Sequence, residues 1–324
     1  MSDWARSEGI RTIVWFEPER VHSGTWIAEN RPEWVIGGKN GGLLRLGDPE
    51  CRRWLAEHIG RLLDEQGIDL YRQDFNIDPL AYWQSEDAED RQGIAEMQHV
   101  EGYLAYWDDL LRRRPGMLID SCASGGRRND LETLRRSVPL LKSDYTFEPV
   151  GEQCHTYGLA SWIPFSGTGF LTIDPYLIRS QMSPEFTMGV DTRRADQDYA
   201  TLRKMVAEWK RVGPCLLGDY WPLTPYSKAN DAWMAWQFDL PEKGKGVVQA
   251  FRRADCPSDA LTVRLRGLDP AADYALTDMD ATTESGAPSD GSERTVSGRA
   301  LMDDGLRLEA REKPQALTIC YRRK

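Results

Sequence analysis

The sequence predicts an α/β protein, with a (β/α)8-type TIM barrel followed by a small antiparallel β-sandwich. Two patterns support this prediction. Up to about residue 230, short apolar runs that end in polar residues alternate with amphipathic stretches at roughly thirty-residue intervals, as parallel α/β folds require. From Trp233 onward, short segments of alternating polarity are separated by Pro, Gly, Asp and Ser, as in antiparallel sheets. We therefore predict a barrel domain over 1–235 and a β-sandwich domain over 236–324.

The strands of the barrel are predicted from short apolar runs that end in polar or charged residues, a pattern typical of buried strands in a parallel sheet. These runs occupy 11–18, 43–46, 69–76, 117–120 and 138–144, and the first is expected to be buried on both faces. Helices are predicted over 49–63, 93–112, 130–136 and 199–212. Asp48 is the expected N-cap of the first helix and Pro49 its first residue. Residues 21–34 have no periodicity and are predicted as a loop.

The C-terminal domain is predicted to contain six short strands. They occupy 232–239, 246–253, 261–266, 274–278, 305–310 and 315–322. The polar, Gly- and Ser-rich stretch 281–297 is predicted as an exposed loop.

The composition argues against several classes of function. A net charge of −10 and a pI near 5.1 argue against a nucleic-acid or membrane partner, either of which would require clustered Lys and Arg. No apolar run is long enough to span a membrane, and the N-terminus has no apolar segment typical of a signal peptide. The cysteines show no CxxC spacing and no zinc-type cluster with histidines, which predicts reduced thiols in the cytoplasm and no metal. The four histidines are expected on the surface or in loops.

Acidic residues at the ends of predicted strands are the first candidates for chemistry: Glu17 with Glu19, Asp74 and Asp144. The carboxyl ends of parallel strands meet on one face of a barrel, so Asp74 and Asp144 could lie across one pocket. Two carboxylates about 5–5.5 Å apart are the arrangement of retaining glycosidases, in which one attacks and the other protonates the leaving oxygen. Each acid could instead cap a helix, and Asp130, in a later loop, could cap the helix that follows it.

Other side chains near these acids have two open interpretations. Trp15 and Trp34 could be core residues or could provide stacking faces for sugar rings. Cys122 could act as a nucleophile, although no histidine or other base lies in a nearby motif. The pair Gly125 and Gly126 could be a simple turn.

Six short motifs follow one another between residues 15 and 144. They are Trp-Phe-Glu-Pro-Glu at 15–19, Arg-Pro-Glu-Trp-Val-Ile-Gly at 31–37, Leu-Gly-Asp-Pro-Glu at 46–50, Tyr-Arg-Gln-Asp-Phe-Asn at 71–76, Cys-Ala-Ser-Gly-Gly-Arg-Arg-Asn-Asp at 122–130 and Lys-Ser-Asp at 142–144. In this order and with compatible gaps, they resemble the motifs of the melibiase-type α-galactosidases, glycoside hydrolase family 36. The region after about residue 230 is similar to the C-terminal β-domain of that family.

The resemblance implies a retaining hydrolase that removes terminal α-linked galactose from oligosaccharides or glycoconjugates through a covalent glycosyl-enzyme. It assigns Asp74 as the nucleophile and Asp144 as the general acid/base. It also assigns a set of sugar-binding residues: Trp15, Lys39, Arg72, Asn76, Cys122, Gly125, Arg128 and Asp130. The basic side chains at 39 and 72 are expected to hold sugar hydroxyls and to keep Asp74 ionised. The resemblance implies no cofactor, and an α-galactoside oligosaccharide is the expected partner.

The chain differs from the family's pattern in ways that leave alternatives open. It begins after the family's N-terminal β-domain and after the Asp-Asp-Gly-Trp-type motif of the first barrel strand. We therefore expect a barrel that is incomplete at its N-terminus, whose open seam favours a homo-oligomer. Lys39, Arg72 and Gln73 stand where the family has Arg, Lys and an aromatic residue, which changes the reach of the pocket. Alternatives are an α-N-acetylgalactosaminidase, a truncated non-catalytic galactoside-binding protein and an unrelated metal-dependent barrel lyase.

Overall fold

The computed structural model of the chain describes residues 2–145, 148–283 and 293–324. The chain divides into two compact units, Met1–Asp144 and Tyr145–Lys324. Compact units and domains need not share a boundary, so the division into domains at 235–236 stays a prediction.

The first unit contains two small sheets and the helices that connect their strands. Its strands are β1 (Ile13–Phe16), β2 (Arg20–His22), β3 (Val35–Ile36), β4 (Gly41–Leu44), β5 (Leu70–Gln73) and β6 (Ile119–Ser121). Its helices are α1 (Ser2–Ser7), α2 (Trp26–Asn30), α3 (Pro49–Glu65), α4 (Leu80–Glu86), α5 (Ile94–Arg113) and α6 (Leu131–Leu134). β5 lies between β1 and β6 in a parallel sheet, and β4 lies between β2 and β3 in an antiparallel sheet. The parallel sheet places Trp15, Arg72 and Asp120 in one row across its strands.

Helices α3 and α5 build the core of the first unit around Tyr71 of β5. α3 begins as predicted, because the Asp48 side chain accepts hydrogen bonds from the N–H groups of Glu50 and Cys51. Pro49 takes the first helical position, where its missing N–H is not needed. The apolar side chains that α3 buries recur at helical spacing: Cys51, Leu55, Ala56, Ile59 and Leu63.

The buried face of α5 differs from the face that its apolar spacing predicts. Met97 and Val100 belong to its apolar spacing but are exposed. The residues buried on α5 are His99, Gly102, Tyr103, Tyr106, Trp107 and Leu110. Gly102 accounts for which face of α5 is buried, because it lets the helix approach the carbonyl of Leu46 more closely than a larger residue would. His99 is 3% exposed, so the expectation of a surface or loop position for it is wrong.

Two of the predicted barrel strands take other forms. The run 11–18 becomes β1, in which Ile13 and Trp15 are 43% and 50% exposed, because β1 lies at the edge of its sheet. Burial on both faces was therefore a wrong expectation. The run 43–46 overlaps β4, which pairs in the antiparallel direction with both of its neighbours and is not a parallel strand.

Two further segments of the first unit also differ from their predictions. The run 138–144 is not a strand, because only Val138 forms an isolated parallel bridge, with Asp120, and Asp144 follows in irregular backbone. The predicted loop 21–34 contains α2, whose N-cap is the Thr25 side chain. Trp34, at the end of this segment, is 6% exposed and belongs to the core.

The second unit contains a parallel strand pair, helices and two antiparallel sheets. Its strands are β7 (Gly167–Phe170), β8 (Glu185–Met188), β9 (Asp219–Pro222), β10 (Trp233–Leu240), β11 (Lys245–Arg252), β12 (Ala260–Val263), β13 (Asp273–Asp278), β14 (Glu293–Ser297), β15 (Leu306–Glu309) and β16 (Gln315–Arg323). Its helices are α7 (Pro149–Leu159), α8 (Pro175–Ser180), α9 (Tyr199–Val212) and α10 (Gly298–Asp303). β7 and β8 pair in parallel.

The C-terminal strands agree closely with the sequence prediction, since β10 to β13, β15 and β16 overlap the six predicted segments. The larger sheet has the order β14-β13-β16-β11-β10-β9, and β12 pairs with β15. Val263 and Leu306 of the smaller pair share a core with Val248 and Ile319 of the larger sheet. The predicted loop 281–297 is wrong at its end, where β14 pairs with β13, and its middle lies outside the described residues.

The described ranges lack both a membrane-spanning helix and a cluster of metal ligands. No helix there is both long and apolar enough to cross a membrane. In the same ranges, no group of three or more His, Cys, Asp or Glu side chains is placed to hold a metal ion.

The close approach of α5 to Leu46 makes a testable prediction. Replacing a helical Gly by Ala usually stabilises a helix by about 1 kcal/mol. In Gly102→Ala, however, the new methyl would lie 2.2 Å from the Leu46 carbonyl oxygen, so we expect a net loss of roughly 1–3 kcal/mol in the free energy of unfolding. The matched control is Gly60→Ala in α3, where the nearest atom would be Arg113 Cδ at 3.8 Å. Urea denaturation should show opposite signs for the two variants, and equal stability would contradict the packing described.

Candidate active site

The carboxylate of Asp74 is held by N–H donors. Asp74 directly follows β5 and is 9% exposed. Its Oδ1 accepts hydrogen bonds from the backbone N–H groups of Phe75, at 2.7 Å, and Ser124, at 3.0 Å. Its Oδ2 accepts one from the indole Nε1 of Trp15, at 3.1 Å. Trp15 therefore stands beside the carboxylate with half of its surface exposed, and of its two interpretations the core position is wrong.

These donors determine the charge of Asp74. Burial raises the pKa of Asp74, but the Asn76 side chain, the N–H groups of Ser124 and Phe75, and the Trp15 indole stabilise the anion and lower the pKa to about 2. Asp74 is therefore ionised at neutral pH, as a nucleophilic carboxylate must be.

Neither of the two predicted basic side chains is among the hydrogen-bond donors to Asp74 that the described residues show. Arg72 forms an ion pair with Asp120, whose other oxygen accepts a hydrogen bond from the N–H of Leu140 at 2.9 Å. Burial lowers the pKa of Arg72, but the charge and hydrogen bond of Asp120, together with the nearby Cys122 and Asp74, raise it by more. Lys39 is exposed on a turn that follows β3. N–H donors are thus the main groups that keep Asp74 ionised, and Arg72 adds a weaker charge interaction with Asp74.

The thiol of Cys122 interacts with both Arg72 and Asp74 and is protonated. Cys122 is 3% exposed, and its N–H donates to the carbonyl of Gln73 at 2.8 Å. Burial raises the pKa of the Cys122 thiol to about 12, with a further increase from its hydrogen bond to Asp74. A thiol in this state is a hydrogen-bond donor and a poor nucleophile, which excludes the nucleophile interpretation of Cys122.

The loop that follows β6 connects the two candidate carboxylates. Ser124 donates its N–H to Asp74, and the next residue, Gly125, contacts Asp144. A Cβ atom on Gly125 would lie 2.9 Å from the Asp144 backbone nitrogen and 3.5 Å from its Cγ. Ser124 and Gly125 both have positive φ, +48° and +83°, so the loop turns sharply between them. Gly125 is thus a point of close contact as well as a turn.

A buried network lies behind Asp74 and is centred on Glu19. The Glu19 carboxylate, 0% exposed, accepts hydrogen bonds from Arg128 at 2.6 and 2.7 Å and from Gln73 Nε2 at 2.7 Å. His99 Nε2 lies 2.7 Å from its Oε2. Burial raises the pKa of Glu19, but Arg128 and His99 lower it by more, to about 2. Gln73 is therefore buried, and its side chain is hydrogen-bonded within this network.

Arg128 and Asp130 have internal partners. The Arg128 guanidinium lies 4.2 Å from the ring centres of both Phe75 and Tyr103, in addition to its pair with Glu19. Asp130 caps α6, because its carboxylate accepts hydrogen bonds from the N–H and the hydroxyl of Thr133 at 2.9 and 2.7 Å. The capping alternative for Asp130 is thus the one that the structure shows.

Comparisons with known proteins establish the family of the chain. The family model described as Melibiase matches residues 1–169, and the glycosyl hydrolase family 36 C-terminal domain matches residues 233–319. The chain belongs to the melibiase family. The predicted resemblance to glycoside hydrolase family 36 is therefore confirmed.

The relatives named here are considerably longer than this melibiase chain. α-Galactosidase Mel36A of Lactobacillus acidophilus is 25% identical over 86% of the chain, and α-galactosidase 1 of Pediococcus pentosaceus is 22% identical over 84%. The chain spans 41% and 40% of the length of these two proteins. The crystal structure of the GH36 α-galactosidase AgaA from Geobacillus stearothermophilus matches the whole chain with a TM-score of 0.82 and 21% identity, over 46% of its own length. Variants of AgaA were solved with stachyose and with raffinose.

Some residues of the melibiase motifs lie beside the candidate carboxylates, whereas others have internal partners. Trp15, Asn76 and Cys122 contact Asp74, and Gly125, which follows Ser124 in the loop, contacts Asp144. Sequence reasoning did not single out Ser124, Asp120 or Gln73 as partners of these groups, although Ser124 and Gln73 lie inside motifs that it used. The contacts of these residues depend on the positive φ of Ser124 and on the pairing of β5 with β6, neither of which a sequence pattern predicts.

The Glu19 network makes a prediction about stability. Glu19→Gln removes the charge that compensates the buried Arg128, and we expect the free energy of unfolding to fall by roughly 3 kcal/mol. Because the pKa of Glu19 is lowered from 4.5 to about 2 on folding, its contribution is complete above about pH 4.5 and is lost as the pH falls toward 2. Urea denaturation at pH 7 and pH 3.5 should therefore show a smaller difference between wild type and variant at the lower pH.

The control for this experiment is Glu33→Gln, which removes a carboxylate 3.5 Å from Arg31 in a pair whose side chains are both more than half exposed. Its effect should stay within about 0.5 kcal/mol at both pH values. A Glu19→Gln variant as stable as this control would contradict the network described.

The six thiols make a second prediction. All six cysteines are unpaired; five are buried and Cys154 is half-buried. A thiol reagent such as dithionitrobenzoate should therefore react first with Cys154 in the native protein and with all six thiols after unfolding, and Cys154→Ser should remove the fast phase. Fast labelling located at Cys122 by mass spectrometry would contradict the buried, protonated thiol beside Asp74.

Proposed function

We propose that the protein is a retaining glycoside hydrolase that cleaves terminal α-linked galactose from oligosaccharides or glycoconjugates. The observation that carries the proposal is the contact of consecutive loop residues, Ser124 and Gly125, with the two candidate carboxylates, Asp74 and Asp144. Membership of the melibiase family and the names of the relatives support the substrate class. The AgaA structures with stachyose and raffinose support α-galactoside oligosaccharides as ligands.

In the proposed reaction, one Asp74 oxygen attacks the anomeric carbon, and the bond to the leaving oxygen breaks as Asp144 gives that oxygen its proton. This step leaves a covalent galactosyl-Asp74 ester. Asp144, now ionised, removes a proton from water, which attacks the same carbon and releases Asp74. Two inversions give net retention, and no cofactor takes part. The N–H donors around Asp74 suit this role, because they stabilise the anion while Asp74 forms no ion pair with any of the described residues.

The finer features of the fold belong to the same proposal. We propose that the parallel strands β1, β5 and β6, and the parallel pair β7 and β8, are parts of an incomplete TIM barrel. We also propose that the β12–β15 pair and the larger sheet form a β-sandwich, which their shared core supports. A cytoplasmic location is supported by the six unpaired cysteines. Association into a homo-oligomer is supported by the exposed Ile13 on the edge strand β1.

Paired substitutions test the two carboxylates. Asp74→Asn should lower kcat by roughly a thousandfold or more on every α-galactoside, because the nucleophile is lost. Asp144→Asn should lower kcat/KM on raffinose by roughly 10²–10⁴-fold, but much less on an aryl α-galactoside whose leaving group needs no proton. Steady-state kinetics measures both effects, and the proton NMR spectrum of the first galactose released identifies the retained anomer.

The outcomes of this experiment separate the alternatives. Equal losses on the two substrates in Asp144→Asn would exclude the acid/base role of Asp144. Turnover of an aryl α-N-acetylgalactosaminide in preference to the galactoside would change the substrate. Binding of galactose without turnover by the wild type would instead indicate a non-catalytic galactoside-binding protein.

A further inference from the structure

Ser124 occupies a backbone conformation that its side chain makes unfavourable. Its φ is +48°, and within the described residues every other positive φ belongs to glycine. A side chain in this region costs on the order of 1 kcal/mol, whereas glycine adopts it freely. Backbone strain of this kind clusters at functional sites, and here it lies next to a candidate nucleophile.

The hydroxyl of Ser124 orients the side chain of Asn76. Ser124 Oγ lies 2.7 Å from Asn76 Oδ1 and donates to it, while Arg127 Nη2 donates to Ser124 Oγ at 3.1 Å. The hydroxyl also lies 3.4 Å from the Phe75 carbonyl, but its much shorter distance to Asn76 favours Asn76 as the acceptor of its one hydrogen. With Oδ1 of Asn76 accepting, the amide NH₂ is the group that remains to donate to Asp74.

The main chain of Asn76 is fixed independently of Ser124. Its N–H donates to Glu17 Oε1 at 2.9 Å, and its carbonyl accepts from Arg20 Nη1 at 3.3 Å. Glu17 and Arg20 are themselves paired at 2.5 Å, and the Glu17 side chain is only 5% exposed. The backbone of Asn76 is thus held from one side, and the orientation of its amide is set from the other by Ser124.

We propose that Ser124 is a positioning residue for the nucleophile, which holds the Asp74 carboxylate directly through its N–H and indirectly through the amide of Asn76. Both the N–H and the hydroxyl of Ser124 act on the same carboxylate. Ser124 therefore restricts the rotation of the Asp74 carboxylate and also stabilises its negative charge. This inference rests on the proposed function for its effect on catalysis, but the arrangement itself can be measured without turnover.

The route through Asn76 is tested by Ser124→Ala, which keeps the N–H and removes the hydroxyl. The acid limb of the pH profile of kcat/KM should move up by about one pH unit, because Asp74 loses an oriented donor. We expect kcat on an aryl α-galactoside to fall by roughly tenfold, with KM nearly unchanged. A structural defect alone would lower activity without moving the acid limb.

Three variants make this test specific. Ser124→Gly also lacks the hydroxyl but relieves the positive φ, so it should show the same shift as Ser124→Ala with a higher Tm. Adding Ser124→Ala to Asn76→Ala should produce no further shift, because the route through Asn76 is already lost. Ser85→Ala removes a hydroxyl that donates to the Tyr82 carbonyl at an exposed site in α4, and it should leave the profile unchanged.

A direct titration keeps this proposal separate from the proposed function. In protein labelled with ¹³C at aspartate carboxyl groups, the Asp74 resonance should titrate at higher pH in Ser124→Ala than in wild type, whether or not turnover is detected. An inactive wild type with this shift would reject the hydrolase and keep the positioning role. An active wild type in which neither the resonance nor the acid limb moves, or in which the double variant adds a further shift, would overturn the positioning role.

Discussion

The carboxylate of Glu19 is the group on which the rest of the site depends. It joins the segment after β1 to the end of β5 through Gln73, to α5 through His99, and to the loop after β6 through Arg128. A buried charge is stable only when it is compensated and its oxygens are hydrogen-bonded, and here both oxygens are. The arrangement of these segments is therefore fixed by one electrostatic requirement, and Asp74 directly follows the strand end that it fixes.

The acids of the site are stabilised in two different ways, by ion pairs at Glu19 and Asp120 and by hydrogen bonds at Asp74. Glu19 and Asp120 each take a guanidinium, from Arg128 and Arg72, and serve to place backbone. Asp74 is instead stabilised mainly by N–H donors, which lower its pKa without occupying it in an ion pair. The same pKa of about 2 thus has two causes, the charge of Arg128 for Glu19 and dipolar donors for Asp74. Only the second leaves a carboxylate suited to attack a neutral sugar.

Local patterns predicted those parts of the fold that local interactions determine. The start of α3 follows from the Asp48 cap and Pro49, and the C-terminal strands follow from alternation bounded by turn residues. The buried face of α5 could not be predicted, because it depends on the distant Leu46 carbonyl that Gly102 approaches and on the carboxylate that meets His99. Contacts of this kind join residues far apart in sequence, and periodicity does not report them.

The candidate site also combines, within a single motif, features that the sequence predicts and contacts that it does not. Resemblance located the segment 122–130, yet its residues differ in role: Arg128 compensates a buried acid, Asp130 caps a helix, and Ser124 and Gly125 contact the two carboxylates. These differences arise from the backbone, because Ser124 and Gly125 both have positive φ and turn the chain sharply within one Cα step of about 3.8 Å. One turn therefore brings two adjacent residues into contact with two acids that are distant from each other in the sequence, which periodicity along the chain does not report.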